Sequence, residues 1–281
     1  MKSNVFKDTV CLSVTFHLPG DIRKGNLSNV ETQAEKSDLR LSKAIFRSDS
    51  YANCWKLSSR IKDWLKARSV PSPLKHGTYL IPRALIPEVE AKIAEARAEY
   101  SAEADTFIAE YPWLKDKARE RLADQFDERN YPDPEVLRRR FWVEKMFIDF
   151  APAGGIDQEA ELKQALEDIR AALRCGLLDL VARLSNMLGE RKDGKKKAVR
   201  KETLAAFTEW MNLLPARLVV DDDELKALAD KAKVVMSGKS ADDLRDIGTV
   251  RSQVKRELDG VVTQLQALVK DMPSRAFGFD E

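Results

Sequence analysis

Histidine and cysteine are scarce, with 2 His and 3 Cys among 281 residues. That shortage leaves too few ligands for a His/Cys metal cluster, too few thiols for a disulfide framework, and little room for His-dependent catalysis. Cys11, Cys54 and Cys175 are widely spaced and outside any CxxC or CxxH context, the pattern of reduced thiols in a reducing compartment. Apolar runs are short as well. None approaches the roughly 18 residues that would span a bilayer. The stretch before Pro19 and Asp21 lacks the apolar core and small-residue cleavage site of a signal peptide, so the expectation is a soluble cytoplasmic protein. The chain carries no cofactor-binding motif.

Charge, by contrast, is abundant and nearly balanced, at 48 Lys+Arg against 46 Asp+Glu. The net charge of +2 conceals blocks of +7 over residues 1–80, −6 over 81–135, +4 over 136–200 and −3 over 201–281. Blocks of alternating sign suggest self-association or docking on partners. They are equally consistent with solvated helix faces.

Val10, Leu12, Val14 and Phe16 alternate with Cys11, Ser13, Thr15 and His17, which predicts a strand with one buried face. A loop-rich stretch follows, with one helix expected near Ser37–Phe46. A second helix is expected over Cys54–Arg68, stopped by Pro71 and Pro73, and a short strand over Thr78–Ile81. Pro87 suits the first turn of a helix. Val89, Ile93, Ala96, Tyr100, Glu103 and Phe107 then form a heptad-like stripe, with Tyr111-Pro112 expected to kink or end it before a shorter helix over Trp113–Gln125. Asp133 and Pro134 predict a capped turn, and the aromatic, β-branched run Phe141–Phe150 predicts a strand.

The second half reads as wholly helical. Leu162, Leu166, Ile169, Leu173, Leu177, Leu180, Leu184 and Met187 recur at spacings of 3 and 4. That predicts about 45–50 Å of helix. Shorter helices follow around Leu204–Leu214 and Leu225–Val235, the latter opened by Asp221, Asp222 and Asp223, where the helix dipole favours negative charge. Ser240 and Asp243 match a capping box, and the stripe Leu244, Ile247, Arg251, Val254, Leu258, Val261, Leu265 and Leu268 predicts a second long helix. The fold class is therefore α+β and mostly α. A small β-containing region, 1–155, precedes a coiled-coil-like helical region, 156–281, whose long helices pair either within one chain or between chains.

The search for chemistry returns no nucleophile, no acid–base pair and no metal set. Gly238-Lys239-Ser240 resembles the end of a phosphate-binding loop, but its first glycine would fall on Lys233 and a helix precedes it. Gly238 is better read as a helix terminus and Ser240 as an N-cap. His17 and His76 lie in a strand and a turn without catalytic neighbours. Two basic features remain. Arg138, Arg139 and Arg140 abut Phe141 and Trp142, cations beside aromatics that could follow a phosphate backbone and stack a base. The competing reading has arginines at a helix end and aromatics in the core. Arg191, Lys192, Lys195, Lys196, Lys197, Arg200 and Lys201 place seven cations in eleven positions, a site for phosphates or an acidic partner, or simply the solvated tip of a helical hairpin.

Gly77–Pro82 before a long helix, Tyr111-Pro112, Phe126-Asp127 through Tyr131–Pro134 to Leu137 and Phe141, Arg200–Phe207, and Leu244–Asp246 together resemble a bacterial and phage family known as a domain of unknown function. Genes of that family lie on phages and mobile elements beside a MoxR-type AAA+ ATPase and a von Willebrand factor A protein. The resemblance implies an accessory subunit of an ATP-driven remodelling system and supplies no catalytic residues. The leading expectation is thus a non-enzymatic, self-associating scaffold working with a AAA+ motor. The alternative is a nucleic-acid-binding protein using the two basic features. A carboxylate enzyme and a pore-forming toxin have less support.

Overall fold

The computed structural model describes residues 5–28, 30–70, 78–149, 159–190 and 196–270. Its elements run α1 Val5–Asp8, β1 Thr9–His17, β2 Ile22–Lys24, β3 Ser42–Ala44, α2 Asp49–Arg68, β4 Thr78–Pro82, α3 Ile86–Leu122, α4 Pro134–Arg138, β5 Trp142–Ile148, α5 Glu159–Leu188, α6 Lys201–Arg217, α7 Asp223–Met236, α8 Ala241–Asp246 and α9 Gly248–Lys270. The protein is mostly α with a small sheet, as the periodicities predict. That sheet has three strands in the order β4-β1-β5, and β2 pairs with β3 apart from it.

The chain forms two compact units that are not separated by a single cut. One takes residues 12–65 and 86–147; the other takes 1–11, 66–85 and 148–281. Cys11, Val70 and Leu80 belong to the same apolar cluster as the C-terminal helices, which is why short N-terminal segments are grouped with 148–281.

The first is an aromatic unit. Val89, Ile93, Ala96, Tyr100, Ala104, Phe107, Tyr111, Leu114 and Ala118 form one buried stripe along the 37 residues of α3. Ala104, not the half-buried Glu103, occupies the seam. Phe46 and Phe141 meet Phe107 at ring-centroid distances of 5.2 and 5.4 Å. Each of four tyrosines satisfies its hydroxyl on a backbone carbonyl: Tyr51 on Pro19, Tyr100 on His17, Tyr111 on Pro132 and Tyr131 on Ile45. Buried aromatics with polar tips need such acceptors, and here the acceptors lie on connecting loops or at strand ends.

Two expectations are corrected in this unit. Pro112 does not end α3, and no separate helix begins at Trp113; the proline removes one helical donor, while buried Tyr111, Leu114 and Ala118 carry the stripe across it. The helix expected over Ser37–Phe46 is replaced by a short 3-10 turn and an antiparallel pair with Ile22 opposite Ala44 and Lys24 opposite Ser42. Gly25 permits that pairing, because a Cβ there would lie 2.7 Å from Leu41.

The second is a leucine unit. Ile169, Leu173, Leu177, Val181, Leu184 and Leu188 of α5 share one core with Val254, Leu258, Val261 and Leu265 of α9. Ser185 donates to Asp259 while Arg251 donates to the carbonyls of Met187 and Leu188, so the two helices run antiparallel. The long seam is thus filled within the chain. Val181 and Leu188 take seam positions expected of Leu180 and Met187, which are only partly buried.

The predicted long helix from Leu244 onward is broken. Ile247 adopts φ −96°, ψ 95° between α8 and α9, and Arg251, a seam position by spacing, is 5% exposed and donates Nη1 to the Leu244 carbonyl left at the break. At the start of α8, Ser240 and Asp243 form the expected capping box, and Gly238 has φ +69° in the left-handed region after α7. No helix among the described residues is long and apolar enough to cross a membrane.

Candidate functional site

The aromatic unit brings the residues 138–142 together but assigns them different tasks. Asp133 caps α4 by accepting from the Glu135 amide, and Pro134 opens it. Arg138 at the end of α4 is then committed internally. Its Nε donates to Asp105 Oδ1 at 2.5 Å, Nη2 to Ser101 Oγ at 2.7 Å and Nη1 to the Phe141 carbonyl at 3.3 Å. Arg139 and Arg140 are exposed. Strand alternation sends Phe141 and Val143 into the core and leaves Trp142, Glu144 and Met146 on the other face.

Trp142 stacks on His17, with centroids 3.7 Å apart and planes 2° from parallel, and His17 Nε2 lies 3.3 Å from Glu144 Oε2. Even so, Trp142 is 47% and Met146 50% exposed. Residues 138–142 therefore divide between the two sequence readings: Arg138 and Phe141 are structural, while Arg139, Arg140 and Trp142 form a surface.

Of the second basic feature, Arg191, Lys192 and Lys195 lie outside the described residues, as does His76. Lys196 and Lys197 return toward α5: Lys196 forms an isolated antiparallel backbone bridge with Glu190, the Lys197 amide donates to the Gly189 carbonyl at 3.1 Å, and Lys197 Nζ donates to Asn186. Arg200 precedes α6 without a side-chain capping bond, and Lys201 is its first residue; Lys196, Arg200 and Lys201 are exposed. Two other arginines tie this segment down. Arg245 donates to the Val199 carbonyl, and Arg251 donates to those of Gly189 and Lys197.

One groove was not anticipated from the sequence. Arg47, Trp113, Leu114, Lys117, Ala118, Glu120 and Arg121 line about 440 Å³ beside the C-terminal part of α3. Trp113, Lys117 and Arg121 stand four residues apart, on one side of the helix. Leu114 and Ala118 are buried beneath. Trp113 is 61% exposed. Arg121 Nη2 donates to the Ala44 carbonyl at 3.0 Å, and burial, then the nearby Arg47 charge, draw its pKa down. Lys117 pairs with Glu120 at 2.8 Å. Arg47 makes no side-chain hydrogen bond or ion pair among the described residues. The signal was available as Trp113-x3-Lys117-x3-Arg121 within the helix expected over Trp113–Gln125, but its fourth member, Arg47, comes from a distant segment.

Among the described residues no group of three or more His, Cys, Asp or Glu side chains could hold a metal ion. Cys54 is buried and its thiol is pushed up to about 12, chiefly by burial and then by Glu103, so it stays protonated at neutral pH. Arg217 donates Nε to the Ser69 carbonyl at 3.0 Å, and burial lowers its pKa to about 10, which leaves it charged. Comparison with family models, curated proteins and solved structures returns no match to this chain.

Proposed function

We propose that this chain is a non-enzymatic accessory protein that docks on a protein partner, with a MoxR-type AAA+ ATPase as the partner that the sequence resemblance implies and a von Willebrand factor A protein as a further member of the assembly. The observation that carries the reading is the face of β5. Trp142 and Met146 lie half-exposed on one side of that strand, with Arg139 and Arg140 exposed just before it. Aromatic residues, Met and Arg are the types enriched where proteins meet.

The long helices support this reading in a different way from the one their stripes suggested. Because α5 and α9 fill each other's seam, they provide an internal frame, and self-association would need another surface. Arg138 contributes by holding α4 to α3, which orients Arg139 and Arg140. The reading is tested by co-expressing the tagged chain with a MoxR-type AAA+ ATPase and purifying on the tag. Stoichiometric co-purification that survives moderate salt is expected, and absence of any complex by native mass measurement would contradict the proposal.

A further inference from the structure

The groove at the C-terminal part of α3 is a second surface with different chemistry, and we infer that it binds single-stranded nucleic acid, stacking a base on Trp113 and receiving neighbouring phosphates at Arg47 and Arg121. Trp113 presents more than half of its surface to solvent, and such an indole serves as a stacking platform for any base. Arg47 and Arg121 line the same groove, where the Arg47 charge adds to burial in drawing the Arg121 pKa down, and no carboxylate pairs with either among the described residues. Holding like charges together is unfavourable without a counter-anion. Arg121 is fixed by the Ala44 and Ile45 carbonyls; Arg47 is not, and is left to move onto a phosphate.

The helical spacing sets the order of contacts. Trp113, Lys117 and Arg121 succeed one another at about 6 Å per step along α3, an aromatic face followed by two cations. Glu120 neutralises Lys117 in part, so the groove offers two to three phosphate contacts. The groove is also open, about 440 Å³ with Trp113 on its wall, and an unpaired strand can reach it with its bases turned out. A duplex keeps its bases stacked on one another and cannot offer one to the indole.

The test is fluorescence anisotropy of the full chain with labelled oligothymidylate of about 12 nucleotides and with the same sequence in a duplex. The single strand is expected to bind more tightly, with log affinity falling against log salt at a slope of about −1.4 to −2.1 for two to three contacts. Trp113→Ala should weaken binding about fivefold to a hundredfold, Trp113→Phe should retain most of it, and Arg47→Glu should weaken it by at least tenfold. Because Trp113 and Arg47 are exposed, circular dichroism should be unchanged in these variants. No binding at low salt, or equal affinity of wild type and Trp113→Ala, would overturn the inference. Loss confined to Lys196→Glu/Lys197→Glu would also overturn it, by moving the site to the α5–α6 connection. The outcome is separable from partner docking: Trp113→Ala is expected to leave the ATPase complex intact, and Trp142→Ala to leave strand binding intact.

Discussion

The two units solve the same problem, tying irregular segments to long helices, with different chemistry. In the aromatic unit the ties that cross the core are neutral, each a buried tyrosine's hydroxyl on a single carbonyl, from Tyr51, Tyr100, Tyr111 and Tyr131, while the guanidinium ties of Arg121 and Arg138 lie nearer its surface. In the leucine unit the ties are guanidinium groups. Arg251 alone reaches the carbonyls of Met187, Leu188, Gly189, Lys197 and Leu244, and Arg174 bonds both carboxylate oxygens of Asp222, which in turn caps α7. A tyrosine adds apolar area to the core it crosses, so its single hydrogen bond is a small part of its contribution. An arginine in an aliphatic core adds little area, and its donors must justify its burial.

The contrast predicts unequal responses to deletion of a tie. Arg251→Met keeps the length and removes every guanidinium donor, leaving the Met187, Leu188, Lys197 and Leu244 carbonyls short of a partner while Gly189 keeps the Lys197 amide. Chemical denaturation should show a loss of about 3–5 kcal/mol, and Arg251→Lys should restore little because an ammonium cannot fork. Tyr100→Phe removes one hydroxyl and keeps the ring, so about 1–2 kcal/mol is expected. Equal losses from the two variants would break the comparison.

Alkaline pH probes the neutral ties directly. Burial raises the pKa values of Tyr51, Tyr100 and Tyr111 above the ordinary 10.0 and pushes Cys54 from 9.0 to about 12. The folded state therefore binds these protons more tightly than the unfolded chain. Their contribution to stability is full below pH 9 and declines as pH rises through 9 to 12 and beyond. Tyrosinate absorbance should consequently appear together with loss of helicity by circular dichroism. Ionisation of these tyrosines near pH 10 with helicity intact would contradict the buried, bonded geometry.

The smallest expected effect lies at a helix end. Ser240→Ala removes the capping bond to the Asp243 amide and should cost about 1 kcal/mol. A larger loss, comparable to that of Arg251→Met, would mean that α8 and the α8–α9 break fold as one unit.

Much of this architecture is legible from spacing because it depends on local chemistry. Alternation located β1, a run of aromatic and β-branched residues located β5, Asp133-Pro134 and Ser240–Asp243 located two capped helix starts, and the leucine stripes located α5 and α9. The failures share a cause: tertiary contact overrode a local signal. Pro112 is a strong stop by itself, yet the buried faces of Tyr111, Leu114 and Ala118 carry α3 through it. Arg251 reads as one more seam residue, and only the folded chain reveals the carbonyls it serves. Leu41 and Gly25 meet in a pairing that no periodicity announces.

The surfaces divide in the same way. Arg138 to Arg140 stood out as a run of charge, but one of the three is held by Asp105 and Ser101 while two remain exposed. Trp113 was passed over because its importance depends on Arg47, 66 positions earlier in the chain. A cluster contributed by one segment can be read from sequence. A cluster assembled from two requires the fold.

The central claim, that the β5 face of the aromatic unit is where a protein partner docks, is tested most directly by one measurement. Light scattering after size exclusion would compare the wild-type chain and a Trp142→Ala/Met146→Ser variant, each mixed with a MoxR-type ATPase, the partner proposed above. The account predicts a complex for the wild type and free components for the variant, with both chains equally helical by circular dichroism. A complex of the same mass and stability from both chains would contradict it.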